Sequence, residues 1–304
     1  MNIYITGING TLGKPLAKHL REQGHNVSGC DLTHCDDPSV DRVDIADYRQ
    51  LYKSISSRYP VVVFHFAAEF GRKNGEDFYE QVWRTNAIGT KNLLEIQKRC
   101  IFRLIHASSS EVYGELNLPD EEFIAESMTD DRYVLPRNDY AISKWCNELQ
   151  IRNAWREDKS DTMVLRFCNS YGPGEYFTPY RSVVCQFVHK AIHGMPWKVY
   201  TGHNRVFMYI DDFIETLGRC VTMMKPGVTV NIAGVEYRSV KELSDLVIKE
   251  TGCDPRLAEL LPVESSNVLN KHPDIKLARE LFKHNPKTSL EDGIEKTVDW
   301  MRSL

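Results

Sequence analysis

Short apolar runs recur along the first half of the chain, separated by longer amphipathic stretches, and that alternation leaves few folds open. Asn2–Thr6, Asn26–Cys30, Val61–Phe66, Phe102–Ala107 and Thr162–Phe167 read as buried strands. Leu12–Gln23, Asp47–Ser57, Phe78–Arg99 and Tyr140–Trp155 read as the helices between them. Strand-length apolar runs separated by helices predict a parallel sheet covered on both faces, the doubly wound α/β architecture. Beyond residue 170 the pattern loosens. Helices are expected at 182–193, Asp211–Met224, Val240–Glu250, Asp274–Phe282 and Ser289–Met301, with one more strand at Val228–Ile232.

With 304 residues the chain can bury a sizeable core. A net charge of −4 gives no global field for nucleic acid or an anionic membrane, so neither is expected as a partner. None of the eight cysteines forms a C-x-x-C pair, which argues against a zinc or redox site, and no metal is expected. Most sit among apolar residues as free thiols do, which suggests a reducing compartment. The longest strongly apolar run, Val61 to Ala68, is interrupted by His65 and is too short to span a bilayer. The N-terminus lacks a signal-peptide pattern, and a cytoplasmic location is expected.

Gly7, Gly10 and Gly13 follow the first strand and open the first helix, in Thr6-Gly7-Ile8-Asn9-Gly10-Thr11-Leu12-Gly13. Glycines there let the backbone turn tightly and approach a pyrophosphate at the positive end of the helix. Asp31 stands at the end of the second strand, where a carboxylate accepts from both ribose hydroxyls and repels a 2′-phosphate. The expected cofactor is NAD.

Tyr140 and Lys144 lie one turn apart on a helix face, and a nearby ammonium is expected to lower the phenol's pKa so that it can act as a base. With 14 tyrosines, about one Tyr-x-x-x-Lys pair arises by chance, and Tyr237 with Lys241 is a second. Only the first follows a Ser-rich strand end, Ala107-Ser108-Ser109-Ser110-Glu111-Val112-Tyr113-Gly114. The carboxyl ends of strands are where catalytic residues gather in such sheets. Tyr237 reads as structural.

T-G-x-x-G-x-x-G, Ser-x-x-Val-Tyr-Gly and Tyr-x-x-x-Lys, in this order, resemble the extended short-chain dehydrogenase/reductase family of sugar-nucleotide epimerases, dehydratases and decarboxylases. Further matches run nearly the whole chain. Asp44-Ile45 resembles the family's adenine-contacting pair, and His65-Phe66-Ala67-Ala68 its strand end beside the cofactor. Asn86 sits in a segment like the family's Asn-x-x-Gly-Thr helix. Arg166 to Pro173 resembles Arg-x-x-Asn-x-Tyr-Gly-Pro, and Arg205 to Asp212 resembles Arg-x-Phe-x-Tyr-Val-x-Asp.

The resemblance implies a Rossmann fold with an NAD-binding domain over residues 1–170, completed by the strand near 228–233. Residues 171–304 would form a smaller C-terminal substrate-binding α/β region. Gly7, Asn9, Gly10, Thr11, Leu12, Gly13, Asp31, Asp44, Ile45, Phe66, Ala67 and Ala68 would line NAD, with Tyr140 and Lys144. Asn86, Asn169, Arg181, Arg205 and Lys271 would hold a nucleotide-diphosphate sugar. Ser109 would bond the sugar's 4-hydroxyl, and Tyr140 would take its proton as hydride leaves C4 for NAD. Lys144 would hold the nicotinamide ribose. Glu111 matches the glutamate that takes the C5 proton in 4,6-dehydratases. Ser110 stands where those enzymes often carry an aspartic acid. The implied activity is therefore a nucleotide-sugar 4,6-dehydratase, a lyase. A UDP-uronate decarboxylase and a 4-epimerase are the near alternatives, and a non-catalytic NAD-binding regulator the remote one. A homodimer is implied too, paired through Phe78–Arg99 and Tyr140–Trp155 as a four-helix bundle.

Overall fold

The computed structural model describes residues 1–114, 123–128, 134–264 and 267–304. From the N-terminus run β1 (Asn2–Thr6), α1 (Gly13–Glu22), β2 (Asn26–Asp31), β3 (Val40–Arg42), α2 (Tyr48–Arg58), β4 (Val62–His65), α3 (Arg72–Asp77) and α4 (Tyr79–Val82). A π-helical turn (Trp83–Ile88) leads into α5 (Gly89–Cys100), and β5 (Arg103–Ser109) ends in a 3-10 turn (Ser110–Tyr113). Then come α6 (Asp139–Asp158), β6 (Thr162–Phe167), β7 (Ser170–Tyr171), α7 (Val183–Ile192), β8 (Trp197–Tyr200), β9 (Asn204–Val206), β10 (Met208–Tyr209) and α8 (Ile210–Met223). The last elements are β11 (Thr229–Ile232), β12 (Tyr237–Ser239), α9 (Val240–Thr251), β13 (Ala258–Leu261), β14 (Asn270–Lys271), α10 (Lys276–Phe282) and α11 (Leu290–Arg302).

Seven strands form one parallel sheet, in the order β11-β6-β5-β4-β1-β2-β3. The β-branched run of β4 is buried along its whole length, as helices on both faces require. The chain winds outward from β1 to β3 and then returns to β4 on the other side. The reversal makes the carboxyl ends of β1 and β4, where Thr6 pairs with His65, the switch point at which such sheets bind ligands. This is the Rossmann fold.

The chain groups into two units, each built from more than one stretch of sequence. The first contains Met1–Val112, Asn138–Arg166 and Ile214–Val230. The second contains Tyr113–Arg137, Phe167–Phe213 and Asn231–Leu304. Tyr113 falls in the second because its hydroxyl donates to Asn231 at 2.6 Å, and the Ile124 N–H donates to the His272 carbonyl at 2.7 Å. The second unit holds three small sheets, β12-β9-β14, β13-β8 and β10-β7. Most of their strands are only two or three residues long, too short for a period-two pattern to show in the sequence.

The long helix expected over Phe78–Arg99 is broken into α4, the π-helical turn and α5. The extra residue per turn falls where Asn86 turns inward. Its Oδ1 accepts the Glu69 N–H, and its Nδ2 donates to the Glu69 carbonyl, each at 2.9 Å. Such bulges collect at functional sites. Among the described residues no helix is long and apolar enough to cross a membrane.

Candidate active site

The cofactor cradle begins where β1 ends. Gly7 has φ +72°, and a Cβ there would stand 2.7 Å from the Ala67 backbone nitrogen, so only glycine fits. A Cβ on Gly13 would collide with the Gly7 carbonyl. The turn is fixed by the Gly7 N–H donating to the Cys30 carbonyl at 2.8 Å and the Gly10 N–H to the Gly7 carbonyl at 3.0 Å. No side chain caps α1 at Leu12, which leaves backbone N–H groups of its first turn for an anion, with Thr11 half-buried beside them.

Asp31 holds this turn to the end of β2. Its two oxygens accept the Asn9 and Thr33 N–H groups, each at 3.0 Å. A carboxylate offers about four acceptor sites, so capacity for ribose hydroxyls remains. Asp44 accepts from the Ala46 N–H at 2.9 Å and from Arg84 at 2.7 Å, and the neighbouring Ile45 carbonyl accepts from Asn92 at 3.0 Å. The Phe66 and Ala67 N–H groups donate to the Thr6 carbonyl, and Ala68 continues the same strand end, half-buried. The switch point, the glycine-lined turn and the second-strand carboxylate fit NAD. Among the described residues no cluster could hold a metal ion.

The side chains expected to be catalytic converge on the carboxyl end of β5. Ser109 and Ser110 are buried, and the Glu111 N–H donates to Ser109 Oγ at 3.2 Å. Asn138 caps α6 by accepting the Ala141 N–H, which starts the helix where its first turn brings Tyr140 to Ser109. The phenol and the Ser109 hydroxyl are hydrogen-bonded. Lys144, one turn on, is buried and donates to the Ala107 carbonyl at 2.9 Å.

The phenol's proton affinity corrects the expectation from spacing. Burial raises the Tyr140 pKa to about 12; the Ser109 bond opposes this, and the Glu111 carboxylate adds to it. The Lys144 ammonium is engaged with Ala107 and lies 6.0 Å from the centre of the phenol ring. It does not supply the lowering that its place one turn away suggested. Lys144 is itself pushed down to about 8 by burial, against the pull of Glu148.

His65 and Asn86, from motif segments of the sequence, and Glu148, which no motif singled out, help to hold this arrangement. His65 bonds Thr6 through Nδ1 at 2.8 Å and Thr90 through Nε2 at 3.1 Å. Burial and the Lys144 charge bring its pKa down to about 3, so the ring is neutral. Asn86 donates to Ser143 Oγ at 2.9 Å besides clamping Glu69. It is buried, with both amide donors engaged inside the first unit. Glu148, one turn beyond Lys144, forms a buried pair with Arg166. The repeat of polar residues at 140, 144 and 148 was the available signal for that pair.

Of the residues expected to bind substrate, three gather around β9 in the second unit. Asn169, at φ +34°, donates to the Val206 carbonyl at 2.9 Å, and Lys271 is the cross-strand partner of Arg205. The Arg205 guanidinium donates to the carbonyls of Asn204, Val268 and Leu269 and to Asn267 Oδ1. Arg181 is bonded instead to the Tyr176 carbonyl, at 3.0 Å, in the turn before α7.

A model of the NAD dependent epimerase/dehydratase family matches residues 3–233. A dTDP-glucose 4,6-dehydratase of Salmonella typhimurium is 28% identical over 338 residues, covering 99% of this chain and 92% of that protein. A UDP-N-acetyl-alpha-D-glucosaminuronate decarboxylase of Bacillus cytotoxicus is 26% identical over 321 residues, 99% of this chain and 97% of that protein. Among solved structures, a UDP-glucose 4-epimerase of Thermotoga maritima with UDP-glucose superposes with a TM-score of 0.89 at 26% identity, covering 100% of this chain and 99% of that one.

Proposed function

The chain belongs to the NAD dependent epimerase/dehydratase family, and on that premise we propose that it is a nucleotide-sugar 4,6-dehydratase. One observation carries the reading. Glu111 lies in the turn after β5 with its N–H on Ser109 Oγ at 3.2 Å, the same hydroxyl that meets the Tyr140 phenol, so an acid stands in the turn beside the phenol and serine. Simple 4-epimerisation has no use for that carboxylate, whereas elimination across C5–C6 needs a base for the C5 proton.

When bound between the glycine-lined turn and the Tyr140–Lys144 pair, NAD would supply the acceptor for the C4 hydride and the donor of hydride to C6, and its positive ring would favour an ionised phenol. Ser109 orients the 4-hydroxyl, and Tyr140 takes its proton. The resulting 4-ketone makes the C5 proton acidic, and Glu111 removes it. The 6-hydroxyl departs as water with the proton taken from C5. As hydride is returned to C6 a solvent-exchangeable proton is added at C5, while the C4 oxygen stays a ketone, its proton left on Tyr140 and passed to solvent, so the net change is loss of one water with no net oxidation. Lys144 positions the nicotinamide ribose and carries positive charge below about pH 8. Asn169, Arg205 and Lys271 are proposed for the nucleotide diphosphate, with Arg205 exchanging carbonyl partners for phosphate oxygens. Arg181 is proposed as a further phosphate contact.

Ser110 favours a second reading, uronate decarboxylation. A hydroxyl is a weak acid for expelling a 6-hydroxyl, and a C6 carboxylate leaves as carbon dioxide without one. We further propose a homodimer, supported by the exposed Phe78, Tyr79 and Ile88 and by Ile142 and Leu149 on one face of α6. Eight free cysteines support a cytoplasmic location.

The deciding experiment is mass spectrometry of a panel of nucleotide sugars incubated with the protein in deuterated water. Loss of water with deuterium at C5 supports the dehydratase. Loss of carbon dioxide from a uronate makes it a decarboxylase, and an unchanged mass with inversion at C4 makes it an epimerase.

A further inference from the structure

Tyr140, Lys144 and Glu148 stand one turn apart along α6, and each is tied to the end of β5. The Tyr140 phenol meets Ser109, the Lys144 ammonium donates to Ala107, and Glu148 accepts from the Ser108 hydroxyl at 2.6 Å. Three successive strand residues thus hold one face of the helix. Glu148 is anchored from the other side by β6. Arg166 donates through Nε to one carboxylate oxygen at 2.9 Å and through Nη2 to the other at 2.6 Å, and neither partner is exposed. Arg152, half-exposed, stands 3.6 Å from the second oxygen.

We propose that Glu148 is a positioning residue of the catalytic site, fixing the register of α6 on the β5 end and supplying the negative charge that supports the Lys144 ammonium. This rests on the roles given above to Tyr140 and Lys144. A buried ion pair is weak evidence for stability, because desolvation offsets the attraction, so the pair invites a functional account. The groups around Lys144 leave that task to Glu148. His65 on β4 and His106 on β5 are buried and neutral, and the phenol of Tyr140 keeps its proton. Burial works to strip the Lys144 proton, and the Glu148 carboxylate opposes it. Arg166, whose charge would act in the opposite sense, is tied to the Glu148 carboxylate itself. An ammonium that lost its proton would keep two N–H donors but lose the charge that strengthens its bonds to the Ala107 carbonyl and to a ribose hydroxyl.

Glu148→Gln alone would strand the Arg166 guanidinium in a buried site, so the pair is replaced together, as Glu148→Gln/Arg166→Met. A second version, Glu148→Gln/Arg166→Gln, keeps hydrogen bonds across the pair if methionine disturbs the packing. The readout is the titration of the Lys144 ammonium by heteronuclear NMR of isotope-labelled lysine, assigned by loss of the signal in Lys144→Arg. Without its carboxylate the ammonium gives up its proton more readily. The midpoint is therefore expected to fall, by less than the roughly one to three pH units that losing a lone neighbouring opposite charge gives, because the opposing Arg166 charge leaves with it. The alkaline limb of turnover should move down with it. A folded variant of either kind with the wild-type midpoint overturns the proposal and leaves Glu148 a purely structural pair. This titration needs no substrate. A protein that turns over no nucleotide sugar defeats the functional reading, while the midpoint still decides the role of Glu148.

Discussion

The chain contains two Tyr-x-x-x-Lys pairs, and their surroundings are opposite. Tyr140 and Lys144 share one face of α6, both facing the end of β5, and both have shifted proton affinities. Tyr237 lies on β12, opposite Val206 of β9, while Lys241 lies in the first turn of α9 beyond a capping box formed by Ser239 and Glu242. The Tyr237 ring stacks on His272 with centroids 4.4 Å apart, and Lys241 pairs in solvent with Asp245 at 2.6 Å. Equal spacing thus gives a converging pair only when both residues fall in one helix. In the second pair a strand-to-helix junction intervenes, and the same four-residue interval sends the two side chains to different neighbours.

The largest test of this contrast is Tyr140→Phe. Removing the phenol oxygen takes away the group proposed to receive the 4-hydroxyl proton, and loss of a general base typically costs about 10²–10⁴-fold in rate. NAD binding, measured by calorimetry, should be largely retained. Tyr237→Phe should turn over at the wild-type rate. An active Tyr140→Phe protein beside an inactive Tyr237→Phe protein would reverse the assignment.

Glu111→Gln should separate steps that Tyr140→Phe abolishes together. Glutamine keeps the shape and loses the basicity, so oxidation at C4 proceeds and C5 deprotonation stalls. The expected sign is reduced cofactor accumulating on the protein, with absorbance near ~340 nm, a property of the cofactor's own chemistry. Exchange of solvent deuterium into C5 should slow about 10²-fold or more, as for other general bases. Normal turnover in this variant would remove the observation on which the dehydratase reading stands.

The converging pair shares its unit with the glycine-lined turn, and Asp31→Ala tests that setting. Charged hydrogen bonds contribute about 1.5–3 kcal/mol, so NAD affinity should fall roughly 10- to 100-fold. The preference over NADP should shrink as the repulsion of the 2′-phosphate is lost. Tighter binding of NADP than NAD by the wild-type protein would contradict the role given to Asp31.

Much of the first unit was legible in the sequence because its signals are local. The strands that build its sheet are continuous apolar runs, Gly7 is required by a positive φ, and Tyr140 and Lys144 obey the helical interval. What was not legible depended on residues far apart in the chain. The bonds of the Asn86 amide to both backbone groups of Glu69 join residues 17 apart and left no mark in the sequence. The high proton affinity of Tyr140 comes from burial, which no spacing records. Asn204–Val206 and Asn270–Lys271 are three and two residues long, so neither shows an alternating pattern, and only their pairing makes them strands.

Acid stability should report the buried ground beneath the converging pair. His65 is lowered to about 3 from an ordinary 6.5, and His106 is lowered as well, both mainly by burial. Between those values the unfolded chain binds protons that the folded protein refuses, so stability falls as pH drops through 6.5 towards 3. Each such histidine can contribute up to about 1.4 kcal/mol per pH unit. Among the described residues neither nitrogen of His106 has a hydrogen-bond partner, so His106→Leu breaks no such bond. Urea titrations at pH 7.5 and 5 should show a smaller acid loss in that variant, and an unchanged loss would remove His106 from the account.

The smallest effect belongs to Lys241→Ala. Its ammonium is about half exposed and meets Asp245 one turn further along α9, a pair with side-chain exposures of 48% and 55%. Exposed pairs at this helical interval contribute about 0.3–0.5 kcal/mol, because water screens the charges and two long side chains must be held still. The fold around α9 does not rest on that pair, since the Ser239–Glu242 capping box and the buried Leu243 and Val247 fix the helix. Lys241→Ala should therefore lower the urea midpoint only slightly and leave both NAD affinity and turnover at wild-type values. Lys144→Ala, the same change at the same interval from a tyrosine, should weaken NAD binding and remove turnover. If the two alanine variants behave alike, the distinction drawn between a shared helix face and a strand-to-helix junction fails, and Tyr140 loses its claim to be the base.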